Sequence, residues 1–327
     1  MNLDSPTTGG LGGEPRRWSA VLKDYLYQPD GRLRSFWRFV ISAVFVLFAN
    51  VMCGVIAAIL ARGLPGSGYW LEIFYRSLLV VVLVAGFWLM LRGIDWHDGD
   101  PLLAMGLGFR DRWLRDIVLG TLVGTALIAA GYAVLFSLGY VKAVTLHVDP
   151  RSLRLSAAVL VILPTAAMAE EIAFRGYPFQ RLAEAIGPAG AAGALSLLFA
   201  AVHLGNPDAS IWAFLNTALA GIWLSVAYLR THSLWLPFGL HFGWNAGMGY
   251  LFGMPVSGIR TFSVVVRSKL QGPAWLTGGS YGLEAGALGT VLLLIAIAIL
   301  FVFVRQRPVR ESGPGLSVPA SPPAPVL

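Results

Sequence analysis

Charged residues are scarce in this sequence, and the scarcity limits what kind of protein it can be. Only 13% of the 327 residues are Asp, Glu, Lys or Arg, whereas 56% are hydrophobic. A soluble globular domain carries roughly a quarter charged residues, and the mean hydropathy of +0.69 is strongly apolar. The composition therefore excludes an ordinary soluble domain and predicts an integral membrane protein.

Cysteine is nearly absent as well, and no segment is concentrated in Lys and Arg. The one cysteine, Cys53, cannot form an internal disulfide or a thiolate metal cluster, so we expect it to be a small apolar filler. The net charge of +7 comes from Lys and Arg in the breaks between apolar runs, which argues against nucleic acid as a partner. The first apolar run begins near Phe36, too far along for a cleaved leader.

Long apolar runs dominate the rest of the chain. A helix that crosses the hydrocarbon layer needs about 20 apolar residues, and eight segments are candidates. They are Phe36–Ala61, Tyr69–Leu91, Ile117–Leu138, Leu155–Phe174, Ala189–His203, Ile211–Leu229, Leu234–Phe252 and Ala285–Val304. Barrel strands would be shorter and alternating. We therefore predict an all-α, polytopic membrane protein with about eight transmembrane helices.

The ends of the chain predict tails around one helical membrane domain at 36–304. Residues 1–35 are polar, Gly-rich and basic, and residues 305–327 are rich in Pro and Ser, so both are expected to be disordered. With the N-terminus inside, 16 of the 24 Lys and Arg residues fall in inside segments. This bias predicts that both termini are cytoplasmic, in a multi-pass protein of the plasma or inner membrane type.

Ionisable residues within the fourth span are the first candidates for function, because a charge in mid-membrane is costly. Glu170 and Glu171 are adjacent and so point about 100° apart on a helix. Glu171 and Arg175 are four apart, acid first, which favours a helical ion pair. Glu170 has no local cation, and it is the better candidate for a reactive carboxylate acting as general base. The alternative is a helix end where both acids are solvated.

Histidines in the fifth and seventh spans are the next candidates. His203 follows an apolar run without a local partner, and a purely structural role fits it too. His241 and Asn245 are four apart and share a helix face. A glycine stripe lies roughly opposite that face, which predicts close packing of this helix against a neighbour; the stripe is Gly239, Gly243 and Gly247. The His–Asn pair could also merely join two helices.

Two glutamates, two histidines and an asparagine in a membrane interior could form a hydrolytic site among helices 4, 5 and 7. A carboxylate and a histidine can activate water, and a histidine and an asparagine can donate to an oxyanion. Alternatively, Glu170, His203 and His241 could hold a divalent metal such as zinc. The sequence has no His-Glu-x-x-His helix and no Gly-x-Ser-x-Gly elbow.

Three motifs, in order, resemble those of the CPBP family, which includes the type II CAAX prenyl proteases and lysostaphin-resistance-like (Abi) membrane proteins. They are Glu170-Glu171-x-x-x-Arg175, Phe199-x-x-x-His203 and His241-x-x-x-Asn245, within a motif core at 155–250. The resemblance implies an all-helical intramembrane endopeptidase that cleaves a peptide or protein, with lipidated substrates among those that fit. The expected partners also include membrane lipid, and the oligomeric state of the protein is left open.

The same resemblance implies roles for the six residues. Glu170 and His203 would activate water, His241 and Asn245 would form the oxyanion hole, and Glu171 and Arg175 would support them. The family is commonly labelled metalloprotease, yet a metal-free, glutamate-dependent mechanism is argued as well. Asparagine fits either reading, since it can donate to an oxyanion but is a poor zinc ligand.

Two other functions remain open at this stage. A catalytically inactive scaffold or regulator could retain the fold, and a small transporter could use the polar residues as a proton relay. A transporter should show inverted repeats, and none is evident in the sequence. Helix depth raises a separate difficulty. With the N-terminus inside, Glu170 lies toward the cytoplasm and His203 toward the far side, unless the fourth helix continues past Phe174 or the fifth helix starts late or tilts.

Overall fold

The computed structural model describes residues 18–63, 68–109 and 112–307, and these are largely helical. Twelve α-helices occur in this part of the chain. They are α1 Trp18–Leu26, α2 Ser35–Gly63, α3 Gly68–Gly93, α4 Pro101–Ala104, α5 Trp113–Ser137, α6 Pro150–Arg175, α7 Tyr177–Ile186, α8 Pro188–Val202, α9 Ile211–Thr231, α10 Trp235–Asn245, α11 Ala274–Thr277 and α12 Ala287–Phe303. A π-helical turn at Ala246–Leu251 extends α10.

All eight predicted spans coincide with helices, and the all-α polytopic fold is confirmed. Among the described residues, six segments are long and apolar enough to cross a membrane; they are Ser35–Gly63, Gly68–Gly93, Trp113–Ser137, Pro150–Ile186, Pro188–Gly205 and Ile211–Thr231. The two remaining predicted spans are shorter helices. Leu234–Phe252 is α10 with its π-helical turn, and Ala285–Val304 is α12, which has 17 residues.

The fourth helix continues beyond Phe174 after a break. Helix α6 ends at Arg175, and α7 starts at Tyr177. Pro178 has no backbone N–H and so cannot bond to the carbonyl four residues earlier, which accounts for the interruption. Gly187, with φ of +81°, then turns the chain into α8, which begins with Pro188 at a helix position that tolerates proline.

The predicted glycine stripe on α10 packs directly against α5. A Cβ atom on Gly239 would lie 2.5 Å from the carbonyl oxygen of Ile117, and one on Gly243 would collide with the carbonyl oxygen of Thr121. Gly124 of α5 faces the α10 backbone in the same way. The two helices are therefore in backbone-to-backbone contact, which leaves the opposite face of α10 for His241 and Asn245.

A two-stranded antiparallel sheet joins distant loops, and the sequence analysis did not predict it. Strand β1, Val141–Leu146, follows α5, and strand β2, Val266–Leu270, lies between α10 and α11. Pairing ties the two loops together at the end of the molecule where α6 begins. Tyr132 of α5 supports this end, since its hydroxyl lies 3.0 Å from that of Ser268.

Where the structure describes parts of the two expected tails, it shows regular structure or side-chain contacts. Helix α1 and an antiparallel bridge between Tyr27 and Leu33 lie within the N-terminal segment that we expected to be disordered. An edge-to-face contact of Tyr25 with Trp37 fastens this region to α2. Arg307 bonds to both carboxylate oxygens of Asp116, at 2.6 and 2.7 Å. Residues 1–17 and 308–327 of the expected tails lie outside the described residues.

Candidate active site

A cavity of about 650 Å³ lies among α2, α3, α6, α8, α9 and α10. Four of the six predicted site residues line it: Glu170, His203, His241 and Asn245. The other two, Glu171 and Arg175, are buried directly behind this wall. The structure therefore brings the residues of helices 4, 5 and 7 together, as the sequence analysis expected.

The ion pair expected within α6 is present and fully buried. Arg175 Nη1 lies 3.1 Å from Glu171 Oε1, and both side chains are almost inaccessible. Arg175 Nη2 also donates to the carbonyl of Gly221 on α9 at 3.1 Å, and the guanidinium lies over the ring of Phe199. A buried charge without a partner would be strongly destabilising, so these contacts explain how α6 carries an arginine in its interior.

Glu171 has a second contact that the sequence analysis did not foresee. Nδ1 of His241 lies 2.8 Å from Glu171 Oε1. A carboxylate can only accept, so Nδ1 is the donor. Glu171 therefore fixes the orientation and tautomer of His241 in addition to neutralising Arg175. Seventy residues separate the two in sequence, and no local spacing could have indicated the pair.

Glu170 is in a different environment from its neighbour. Its side chain is 28% exposed, whereas that of Glu171 is 0% exposed. Glu170 Oε2 lies 3.7 Å from Nε2 of His241, beyond hydrogen-bond distance. His241 thus lies between two carboxylates, one holding Nδ1 and the other beside Nε2. Arg76 of α3 lines the same cavity and pairs with Glu72 at 2.7 Å.

His203 is held by the backbone of the helix that precedes it. Nδ1 lies 2.7 Å from the carbonyl oxygen of Phe199, one turn earlier. Because a carbonyl can only accept, Nδ1 carries the proton, and Nε2 of the neutral ring keeps its lone pair. The Phe199 ring contacts both histidines, with centroid distances of 4.5 Å to His203 and 6.1 Å to His241.

The continuation of α6 into α7 resolves the difficulty over depth. Glu170 lies 17 residues before the turn at Gly187, and His203 lies 16 residues after it. The rings of Phe174 and Phe199, at 13 and 12 residues from the same turn, are 5.1 Å apart, and Glu170 and His203 line the same cavity. Nearly equal distances from the turn bring Glu170 and His203 to the same level.

Asn245 completes the set that faces the cavity. It is the last residue of α10, one turn beyond His241, and it is half-buried. Within the described ranges its carboxamide makes no hydrogen bond to another residue, whereas both neighbouring site histidines do. Its N–H groups are therefore available to a bound molecule.

Glu284 is a cavity residue that the sequence analysis missed. Its carboxylate accepts from Trp244 Nε1 at 3.0 Å, and from the amide and hydroxyl of Ser257 at 2.6 and 2.8 Å. It thereby links the helix that carries Asn245 to a loop that lines the cavity. An acid just before an apolar run was the available signal, but the predicted span began at Ala285, one residue later.

The alternative zinc site of Glu170, His203 and His241 is not formed by the side chains that the structure describes. Among these residues no three His, Cys, Asp or Glu side chains are grouped closely enough to hold a metal ion. Glu170 and His241 approach each other, but no third donor joins them. The donor arrangement therefore does not fit the three protein ligands that a catalytic zinc requires.

A comparison with protein families agrees with the motifs. Residues 152–247 match the family described as type II CAAX prenyl endopeptidase Rce1-like. The matched segment covers most of α6 through α10 and contains all six predicted site residues. The resemblance to CPBP family intramembrane proteases is thereby confirmed. At the level of the family, the match supports a CAAX-protease-like intramembrane endopeptidase, a hydrolase whose substrate is a protein or peptide.

Neither the curated proteins nor the solved structures gave a match to this chain.

Proposed function

We propose that this protein is an intramembrane endopeptidase that cleaves a peptide bond in the cavity, with Glu170 as general base. The observation that carries the proposal is the contrast between the two adjacent glutamates. Glu171 is buried and engaged by both Arg175 and His241, whereas Glu170 faces the cavity beside His241 Nε2. Of the two glutamates, Glu170 is the one whose carboxylate faces the cavity and can take a proton from a water molecule there.

Hydrolysis would begin with that proton transfer. The water oxygen attacks the carbonyl carbon of the scissile peptide while its proton passes to Glu170. His203 Nε2, which keeps its lone pair because Nδ1 is bonded to Phe199, can accept a hydrogen bond from the same water and orient it. When the tetrahedral intermediate breaks down, Glu170 returns the proton to the leaving amine, and both products are released.

The oxyanion of the intermediate would be stabilised by His241 and Asn245. The carboxamide N–H groups of Asn245 are available, and the side chain is one helical turn from His241. For Nε2 of His241 to donate, the ring must carry protons on both nitrogens, which the carboxylates of Glu171 and Glu170 on either side stabilise. Each donor of this kind contributes roughly 10²–10³-fold to the rate.

No step of this mechanism passes through a metal, because the donor arrangement does not fit one. The six predicted residues suffice for the chemistry: a base, a residue that orients water, two donors to the oxyanion, and the Glu171–Arg175 pair behind them. We therefore expect hydrolysis to be insensitive to a strong chelator, and chelator-sensitive cleavage would contradict the metal-free mechanism.

The walls of the cavity support a substrate that reaches the site from the bilayer. Leu47 of α2 and Val202 of α8 line the cavity, yet they are 66% and 56% exposed at the surface of the molecule. Leu198 is a third residue of this kind. We name these three residues the front cleft. An apolar opening toward lipid fits a membrane-embedded or lipidated peptide better than a soluble one.

The test uses the full-length protein reconstituted in lipid vesicles with a fluorogenic farnesylated peptide ending in a CAAX sequence. We expect the wild type to cleave it, and Glu170→Gln and His203→Ala each to lower kcat/KM about 100-fold or more. Asp98→Asn serves as the control, because Asp98 is an exposed acid that does not line the cavity. Full activity in both site variants, with normal insertion, would show that the proposed mechanism is wrong.

We further propose that both termini lie in the cytoplasm. The excess of Lys and Arg in the segments that share a side with the termini supports this orientation. Reporter tags at each end, read in intact cells, test it. Labelling of either terminus from outside the cell would overturn it.

A further inference from the structure

A second cavity, of about 690 Å³, lies at the end of the molecule where α3 and α6 begin. Its walls come from the first residues of these two helices, from the loop after α10, and from β2. Three arginines line it: Arg151, Arg260 and Arg267. They come from three separate segments, and the pairing of β1 with β2 helps to bring Arg267 to the other two.

None of the three arginines forms an ion pair with a carboxylate in the part of the chain that the structure describes. Arg267 Nε donates to the carbonyl of Ser263 at 3.0 Å, which orients its guanidinium but leaves its charge uncompensated. By contrast, the arginines buried near the opposite end of the molecule, Arg38 and Arg181, both contact Asp95.

The acid among the lining residues, Asp149, is engaged elsewhere. Its carboxylate caps α6, accepting from the amides of Arg151 and Ser152 at 2.9 and 3.1 Å and from the Ser152 hydroxyl at 2.7 Å. The hydrogen bond from the Ser152 hydroxyl and those from the backbone hold the pKa of Asp149 below its usual value. Asp149 stays ionised, but one carboxylate cannot balance three guanidinium groups, so the cavity keeps a positive charge.

The surroundings of the cavity indicate the kind of anion. The cavity lies where two apolar spans, α3 and α6, start, which is the level of the lipid headgroups. Trp70, next to the lining residue Tyr69, is 69% exposed, and Leu153 of α6 is exposed as well. An exposed tryptophan at a helix end is typical of the membrane interface. A ligand with a phosphate group and apolar chains fits both the arginines and these neighbours.

We propose that this cavity binds the phosphodiester headgroup of an anionic phospholipid, with Arg151, Arg260 and Arg267 as its ligands. Guanidinium groups suit the site because each can form two parallel hydrogen bonds to a phosphate. The acyl chains would run down the outside of the bundle past Trp70 and Leu153. The proposal is independent of the peptidase activity, since it rests on residues at the opposite end of α6 from Glu170.

The experiment measures binding to the full-length, detergent-solubilised protein by native mass spectrometry and by thermal shift. The probes are phosphatidylglycerol, phosphatidylcholine, glycerol phosphate and inorganic phosphate. We expect phosphatidylglycerol to bind at least about tenfold more tightly than phosphatidylcholine. The variant Arg151→Gln/Arg260→Gln/Arg267→Gln should lose most of this preference.

Arg154→Gln is the matched control, because Arg154 is exposed on the same helix three residues after Arg151 and does not line the cavity. It should keep the wild-type preference. Equal preference in the triple variant and the control would overturn the proposal. A thermal shift by glycerol phosphate or inorganic phosphate as large as that by the lipid would overturn the choice of a lipid ligand. Should the triple variant not fold, Arg260→Gln alone, in the loop, should still weaken phosphatidylglycerol binding by several-fold.

Discussion

The two sides of helix α10 are built in opposite ways. Its back packs on α5 through glycines, with backbone against backbone and no room for a side chain. Its front, which carries His241 and Asn245, faces a cavity that opens through the apolar front cleft of Leu47, Leu198 and Val202. Packing on α5 fixes the position of α10, whereas the proposed substrate would reach His241 and Asn245 from the cavity, so substitutions on the two sides should have different consequences.

The back of α10 should be the most sensitive region. We predict that Gly243→Leu strongly destabilises the protein, because its Cβ would collide with the carbonyl oxygen of Thr121 and neither backbone can retreat. The expected loss is about 3 kcal/mol or more in the free energy of unfolding. Thermal unfolding in detergent measures it. Gly54→Leu on α2 is the control, since no other atom lies within 4 Å of its Cβ position, and equal melting temperatures for the two variants would contradict the prediction.

Glu171, which bonds to His241 of α10 and neutralises Arg175, should show the next largest effect. Glu171→Gln leaves the buried guanidinium of Arg175 uncompensated, and we predict a loss of about 3–5 kcal/mol in stability. The double variant Glu171→Met/Arg175→Met should recover most of the stability while cleavage stays low, because His241 Nδ1 has lost its acceptor. Unfolding and peptidase assays on the same preparations separate the two effects. Recovery of activity with stability would show that Glu171 does not position His241.

Substitutions in the front cleft should alter the kinetics of substrate cleavage and leave the stability of the protein nearly unchanged. We predict that Leu198→Trp narrows the opening and raises KM for a farnesylated peptide several-fold, with kcat nearly unchanged. Stability should change by less than about 1 kcal/mol, because the side chain is exposed. The same peptide without its farnesyl group is the internal reference. An equal rise in KM for both peptides would mean that the cleft does not admit the lipid.

Sequence patterns were sufficient wherever the contact is local. The Glu171–Arg175 pair is an i, i+4 contact on one helix, and the glycine stripe repeats every four residues on another, so helical geometry alone predicts both. The eight apolar runs were found for the same reason, since run length is a property of the segment itself.

Contacts between distant segments could not be predicted in this way. The hydrogen bond of Glu171 to His241 and the pairing of β1 with β2 depend on how the helices are arranged, which no single segment encodes. The interruption at Gly176 could have been predicted from the sequence, since Pro178 is a helix breaker. We expected the span to end at Phe174, so the helical segment that continues to Ile186 was not predicted.

The carbonyl that holds His203 has an electrical consequence for a site inside a membrane. His241 is oriented by a carboxylate, which itself needs Arg175 as a counter-charge and so brings two ions into the protein interior. His203 is oriented by the dipole of a peptide group at the end of α8, which brings none. In a solvent as poor for ions as lipid, the second arrangement fixes the proton on Nδ1 of His203 and leaves the lone pair on Nε2 without adding an ionised group.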